Sequence, residues 1–300
     1  MSQFEVRTLD LHFQRQAHAV AAFLVVGPAG PVLIETGPGS TLPALQRGLK
    51  QYGLTPADIP DVLVTHIHLD HAGAAGWWAR QGATIHVHHV GAPHLIDPQR
   101  LLVSARRIYG DRLDDLFGEF LPAPAERVHV LHDGDVVEAG GLQFLALDTP
   151  GHARHHLVFQ LDDIAFVGDL AGVRRPGVNH VRLPTPPPEF DQAQWLASID
   201  RVRGRRLARI YLTHFDAVDQ VDAHWDTAAA LAREYADRVG RALAQGAGRD
   251  AIVADFVAWE NSRLQADGVP PEQWEAYANI GPIGMSVDGL IRYWQKRATS

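Results

Sequence analysis

The chain has 300 residues, 46% of them hydrophobic and 21% charged, enough for a large core in one α/β body with or without a smaller appendage. A net charge of −8 argues against a nucleic-acid binder, which needs a basic surface to release counterions, and no apolar run reaches the length of about 18 residues that spans a membrane. Cysteine is absent, which removes disulfides, thiolate nucleophiles and thiolate metal sites, whereas the 17 histidines are a compositional outlier.

The opening stretch "MSQFEVRTLDLHFQRQ" lacks the basic-then-apolar order of a signal peptide, so a cytoplasmic location is expected. Residues 17–36 read as two β segments around the turn "GPAG". "GPGST" then opens a helix over about 42–52, with Ser40 or Thr41 as its cap. "DVLVT" (61–65) is a short β-branched run and reads as a buried strand. It is followed by "HIHLDH" on a loop, then by a helix in "AGAAGWWARQ", where Gly73 and Gly76 would let the helix begin close to that loop. "ATIHVHH" is a strand, 90–127 is mainly helical, and 127–151 holds several strands. A hairpin turns through Asp162 and Asp163, 174–191 is a proline-rich loop, a helix covers about 192–203, and "RLARIYLTHFD" is one more strand with a loop. From about residue 219 the pattern is helical, with Gly and Pro punctuation. Residues 1–216 are therefore read as an α/β body and 217–300 as a helical region serving as lid, substrate-binding element or dimerisation surface.

"HIHLDH" places His66, His68, Asp70 and His71 in six positions directly after a strand. Three further segments share one form, an apolar strand ending in a metal-capable side chain: "LALDTPGH" at His152, "IAFVGD" at Asp169 and "IYLTH" at His214. Strand ends hold ligands on rigid elements at one edge of a sheet. Imidazole and carboxylate suit zinc, iron or manganese. Seven side chains are too many for one tetrahedral ion and fit two if one carboxylate bridges.

H-x-H-x-D-H after a strand, then "TPGH", "VGD" and "TH", spread over about 35–215, resembles the metallo-β-lactamase fold superfamily, most closely its glyoxalase II and lactonase branch. The resemblance implies an αββα sandwich, here with a helical C-terminal extension, and a dinuclear site along one edge of two sheets. It implies that His66, His68 and His152 hold one metal, that Asp70, His71 and His214 hold the other, and that Asp169 bridges. Glu35 stands where the family usually has Asp, behind the ligands. His156 falls on a frequent second His of its motif and is read the same way, and His155 stands where Gly is common. His180, on the proline-rich loop, is expected to touch substrate. His86 and His88 share one strand face and read as a polar face or helix contact; His12, His18, His94, His129, His132 and His224 read as surface residues.

Two divalent ions, zinc before iron or manganese, would generate a bridging hydroxide at neutral pH, with Asp70 orienting it or accepting its proton. The expected function is hydrolysis of an ester, thioester or lactone in a small molecule, by a chain that binds neither nucleic acid nor membrane and forms a possible homodimer. A β-lactamase is disfavoured, because one subclass needs a Cys ligand and the others generally lack an acid matching Asp169. The alternative is a mononuclear iron dioxygenase acting on persulfide in the same fold. If the substrate is a glutathione thioester, Tyr277, Arg292, Tyr293 and Lys296 are candidate contacts.

Overall fold

The computed structural model describes residues 4–215 and 217–298. The first half of the chain runs β1 (Glu5–Asp10), β2 (Ala21–Gly27), β3 (Gly30–Ile34), α1 (Leu42–Lys50), β4 (Asp61–Leu63), α2 (Leu69–Ala72), α3 (Ala75–Arg80), β5 (Thr84–His88), α4 (Ala92–Ile96), α5 (Gln99–Tyr109), α6 (Leu113–Phe117) and β6 (Val128–Leu131). It continues with β7 (Val136–Ala139), β8 (Leu142–Asp148), β9 (Leu157–Leu161), β10 (Ile164–Phe166), α7 (Gln192–Arg203), β11 (Arg209–Tyr211), β12 (Ala217–Val218), α8 (Val221–Ala244), α9 (Arg249–Ala266), α10 (Trp274–Ile280) and α11 (Ile283–Ala298).

Two mixed sheets result. One has the order β1-β2-β3-β4-β5-β6, the other β12-β11-β10-β9-β8-β7. β3 to β6 run parallel, as do β10 and β11, and the remaining pairs are antiparallel. The period-two geometry of a strand explains the layers. In β2, Ala21, Phe23 and Val25 join Phe144, Phe159 and Phe166 between the sheets, while Ala22 and Leu24 face the helices beside α1 and α3. A strand apolar on both faces fits a sheet covered on both sides. The outer face of the second sheet, through Val158, Ala165 and Ile210, packs on α7, α8, α9 and α11. The layers are thus α/β/β/α, and the C-terminal helices complete one outer layer instead of enclosing a separate main core. No helix among the described residues is long and apolar enough to cross a membrane.

Local departures from the sequence reading have physical causes. α1 starts at Leu42, but neither hydroxyl before it caps the helix: Thr41 donates to the Pro38 carbonyl at 2.9 Å and Ser40 to that of Leu116 at 2.7 Å. Asp70 and His71 lie in the helical turn α2, not on a loop. Gly73 and Gly76 serve packing against neighbouring backbone: a Cβ on Gly73 would meet the Pro38 Cα at 2.8 Å, and one on Gly76 would overlap the Leu121 carbonyl.

Candidate metal centre

The chemistry-bearing residues follow the carboxyl ends of β3, β4, β8, β10 and β11, at one edge of the two sheets. Glu35 follows β3, His66 follows β4, His152 follows β8, Asp169 follows β10 and His214 follows β11. Crevices outside the carboxyl ends of strands are where open α/β sheets bind ligands. Two side-chain groups converge there: His66, His68, His152 and Asp169 in one, Asp70, His71 and His214 in the other.

In the first group His66 Nε2 and His152 Nε2 lie 3.0 and 2.9 Å from His68 Nδ1. Asp169 Oδ2 is 3.2 Å from His152 Nε2. Its other oxygen, Oδ1, is 3.1 Å from His71 Nε2 and 3.4 Å from His214 Nε2. Asp70 Oδ2 closes the second group, 3.4 Å from His214 Nε2. One Asp169 carboxylate therefore presents an oxygen to each group, the disposition expected of a bridge. His66, His71, His152, Asp169 and His214 are buried, while His68 and Asp70 are partly open to the cavity.

The far side of each ring determines its tautomer. His152 Nδ1 donates to the Pro184 carbonyl at 3.0 Å and His214 Nδ1 to that of Ala19 at 2.8 Å, since a carbonyl only accepts. His71 Nδ1 donates to Glu35 Oε1 at 2.9 Å. The Thr65 hydroxyl donates to Glu35 Oε1 at 2.5 Å, so its oxygen receives His66 Nδ1 at 3.1 Å. In neutral rings, all four Nε2 atoms then carry lone pairs aimed at His68 Nδ1 or at carboxylates. Both His71 Nε2 and Asp169 Oδ1 are buried without a hydrogen-bond partner. Facing lone pairs repel unless cations lie between them, so the donor set fits divalent metal ions, with the outer partners orienting each ligand.

Those outer partners are short-range and buried. Glu35 also accepts the Thr65 N–H at 3.2 Å and the Thr213 hydroxyl at 3.1 Å. His156 stands behind Asp169: its Nε2 accepts the Asp169 backbone N–H at 3.2 Å, and its Nδ1 donates to the Thr149 hydroxyl at 2.8 Å. Gly168 lets this happen. Its φ is +49°, and a Cβ there would meet His156 Nε2 and Thr65 Oγ1 at 2.6 Å. Sequence reading missed Thr65 and Thr213; the repeated Thr-His pairs at 65–66 and 213–214 were the available signal.

Without metal, protons respond to the same field. Burial opposes a charge on His71, but Asp169, Glu35 and Asp70 outweigh it and hold its pKa well above the usual value; His214 is raised similarly against its burial by Asp169 and Asp70. Burial alone would raise Asp70, yet His71 and His214 hold its carboxyl at about 2. Burial pushes His152 and His224 down to about 4, and depresses His66, His68, His155 and His156 as well. A depressed histidine binds a proton in the unfolded chain below 6.5 but not in the folded one until a much lower pH. Stability from these groups is therefore present above 6.5 and lost as pH falls towards 4. His71 and His214 act oppositely, their contribution being lost as pH rises through their raised values. With His89, His129 and His180 also lowered by burial, nine depressed rings against two raised ones give the expected result: the melting temperature of the chelator-treated protein drops steadily from pH 6.5 to 4. Circular dichroism melts across that range check it, and a flat or rising profile would refute the assignment.

A cavity of about 260 Å³ opens over His68, Asp70, His152, Asp169 and His214. Its walls come from α5, from the proline run 184–188 and from residues 280–286 between and within α10 and α11. His155 stands in it, its Nδ1 3.4 Å from the Ile67 N–H and its Nε2 3.5 Å from Glu189. His94, read from sequence as a surface residue, lines it too.

The expectation for His180 is corrected. It is fully buried outside the cavity lining, with Nδ1 2.7 Å from Asp267 Oδ2 and its ring edge-on to Tyr277 at 4.9 Å. It ties the proline-rich loop to the C-terminal helices, as do Arg182 at the Tyr277 and Gly281 carbonyls and Arg263 at that of Val181. His224 is likewise buried, 2.7 Å from the Ala171 carbonyl. His86 joins Asp61 and His129, each at 2.8 Å. Of the four C-terminal candidates, Tyr277 is buried, whereas Arg292, Tyr293 and Lys296 line a separate depression that meets the cavity at Pro188 and Glu189.

Comparison with known proteins gives the family and the fold. The family model of the metallo-beta-lactamase superfamily matches residues 15–214. A metallo-beta-lactamase fold-containing protein of Sulfurisphaera tokodaii is 29% identical over 144 residues, covering 47% of this chain and 54% of that protein. A hydroxyacylglutathione hydrolase of Xanthomonas campestris is 31% identical over 176 residues, covering 59% of this chain and 54% of the hydrolase. The matches thus span about half of these relatives' own lengths. Among solved structures, a metallo-beta-lactamase family protein of Thermus thermophilus superposes with a TM-score of 0.70 at 19% identity, over 99% of this chain and 95% of its own, a likeness of fold. With two thirds of its length matched by one family model and its αββα layers shared with that structure, the chain belongs to the metallo-beta-lactamase superfamily.

Proposed function

We propose that the chain is a metal-dependent hydrolase that opens an ester, thioester or lactone of a small molecule. The observation that carries this reading is Asp169, whose two oxygens face two separate ligand groups. His66, His68 and His152 would hold one divalent ion, Asp70, His71 and His214 a second, with Asp169 between them. Bound there, such ions, zinc before iron or manganese, would polarise a carbonyl and lower the pKa of a shared water towards 7.

The chain's own residues do the rest. The outward hydrogen bonds to Pro184, Ala19 and Glu35 keep the ring lone pairs aimed inward and fixed before substrate arrives. Asp70 has one-fifth of its side chain open and lines the cavity, so its ionised carboxylate can orient a water and receive a proton. The α5, 184–188 and 280–286 walls narrow the site and limit bulk water around the reacting carbonyl. The likeness to the Xanthomonas hydroxyacylglutathione hydrolase supports ester or thioester cleavage.

The test is elemental analysis of protein purified without added metal, run beside an ester, thioester and lactone panel. About two ions per chain, with turnover abolished by chelation and restored by zinc, is the expected result. A single iron with no hydrolysis and persulfide-dependent oxygen uptake would replace the hydrolase by the dioxygenase.

A further inference from the structure

We propose that the cavity over the metal centre is an acyl-binding pocket selective for an apolar acyl group of about six to eight carbons, a reading that rests on the hydrolase function above. The end of the cavity formed by α5, α10 and α11 is lined by Leu101, Ala105, Ile108, Ile280 and Met285, with Ile67 beside the ligand loop. The Tyr109 hydroxyl at this end is turned to the Met285 sulfur, 3.8 Å away. Arg100 and Ser104 of α5 and Ser286 of α11 also border this end, so its lining is mainly rather than wholly apolar. His155 and Glu189 sit at the Pro188 end, where the cavity meets the basic depression of Arg154, Arg292 and Lys296.

Two considerations favour an apolar occupant. Ile108 is 44% exposed on the open side of α5, and a chain laid along it would remove that apolar surface from water. Volume bounds the length: the cavity's 260 Å³, part of which lies over the ligand groups and must hold the carbonyl, exceeds the roughly 150 Å³ that holds a benzene-sized ligand, so a short chain or one ring fits and a long chain does not. The carbonyl would lie over the ligand groups, the acyl chain towards α5, and the leaving group towards Pro188 and Glu189.

The experiment uses the zinc-loaded protein and two matched series. Calorimetry gives Kd for straight-chain carboxylates from acetate to dodecanoate, and kinetics gives kcat/KM for the corresponding acyl esters with one leaving group. Affinity is expected to rise about three- to fourfold per methylene and to stop rising near six to eight carbons, with kcat/KM following. Ile108→Asp, at an exposed position that tolerates a charge, should cut the hexanoate-to-acetate affinity ratio at least tenfold, and Ala105→Phe should shorten the preferred chain. Affinity independent of length, or a ratio untouched by both variants, would overturn the pocket. Length-dependent binding without hydrolysis of any ester would leave the pocket standing and remove the hydrolase reading.

Discussion

Asp169→Asn is expected to lower metal occupancy from about two ions per chain to one or fewer and to reduce hydrolysis more than about a hundredfold. The substitution keeps shape and removes charge. Asn cannot present two anionic oxygens, one to His152 and one to His71 and His214. Removing even an outer partner of a metal ligand costs roughly 10–100-fold in affinity or activity, so a shared ligand should cost more. Titration followed by elemental analysis measures occupancy. A second readout lies in the metal-free protein, where Asp169 is the leading group holding the pKa values of His71 and His214 up against burial. Histidine titration by NMR should show both moving down in the variant. Full occupancy together with unshifted histidines would mean that Asp169 joins nothing.

The second large effect is on stability. Glu35→Ala should destabilise the protein by about 3–5 kcal/mol, because it leaves several buried donors unpaired beside the ligands. Glu35 is fully buried and receives Thr65 N–H, the Thr65 and Thr213 hydroxyls and His71 Nδ1. Its backbone sits at φ +65°, a conformation uncommon for a side chain of this kind and one that surrounding contacts must hold. Glu35→Asp should be milder: Asp tolerates that backbone better, but its carboxylate falls one methylene short. Thermal melts with and without zinc decide it. A melting temperature and zinc affinity equal to the parent's in Glu35→Ala would reduce Glu35 to a turn residue.

Most elements were legible because their signals are local. β2 and β3 around "GPAG", the hairpin at Asp162, α7 over 192–203 and the C-terminal helices lie where apolar period, turn residues and helix breaks placed them. The short N-terminal strand β1 went unread, since "FEVRTLD" is a weak pattern until β2 pairs with it. His180 was misplaced for a related reason. Residues 184–189 of its loop do line the cavity, but Glu260 of α9 and Tyr277 of α10 lie against His180 itself and Asp267, 87 positions away, binds its ring. A histidine's partners are not written in its neighbourhood.

The sequence by itself determined the donor chemistry: four metal-capable side chains packed into His66–His71, three more at strand ends, and no cysteine to compete. That much is local, since chain geometry carries side chains within one tight segment to one place and a strand delivers its last residue to the sheet edge. The tertiary structure decided what lies beyond the ligands. It set which nitrogen of each ring faces inward, through partners as distant as Ala19 for His214, 195 positions apart. It gave Glu35 its cluster of donors and Asp169 its two faces. It also built the mainly apolar wall from α5, α10 and α11, whose residues share no motif and meet only because the helices pack over one edge of the sheets. Hydrogen-bond partners and cavity walls depend on contacts between distant segments, and those exist only once the layers have closed.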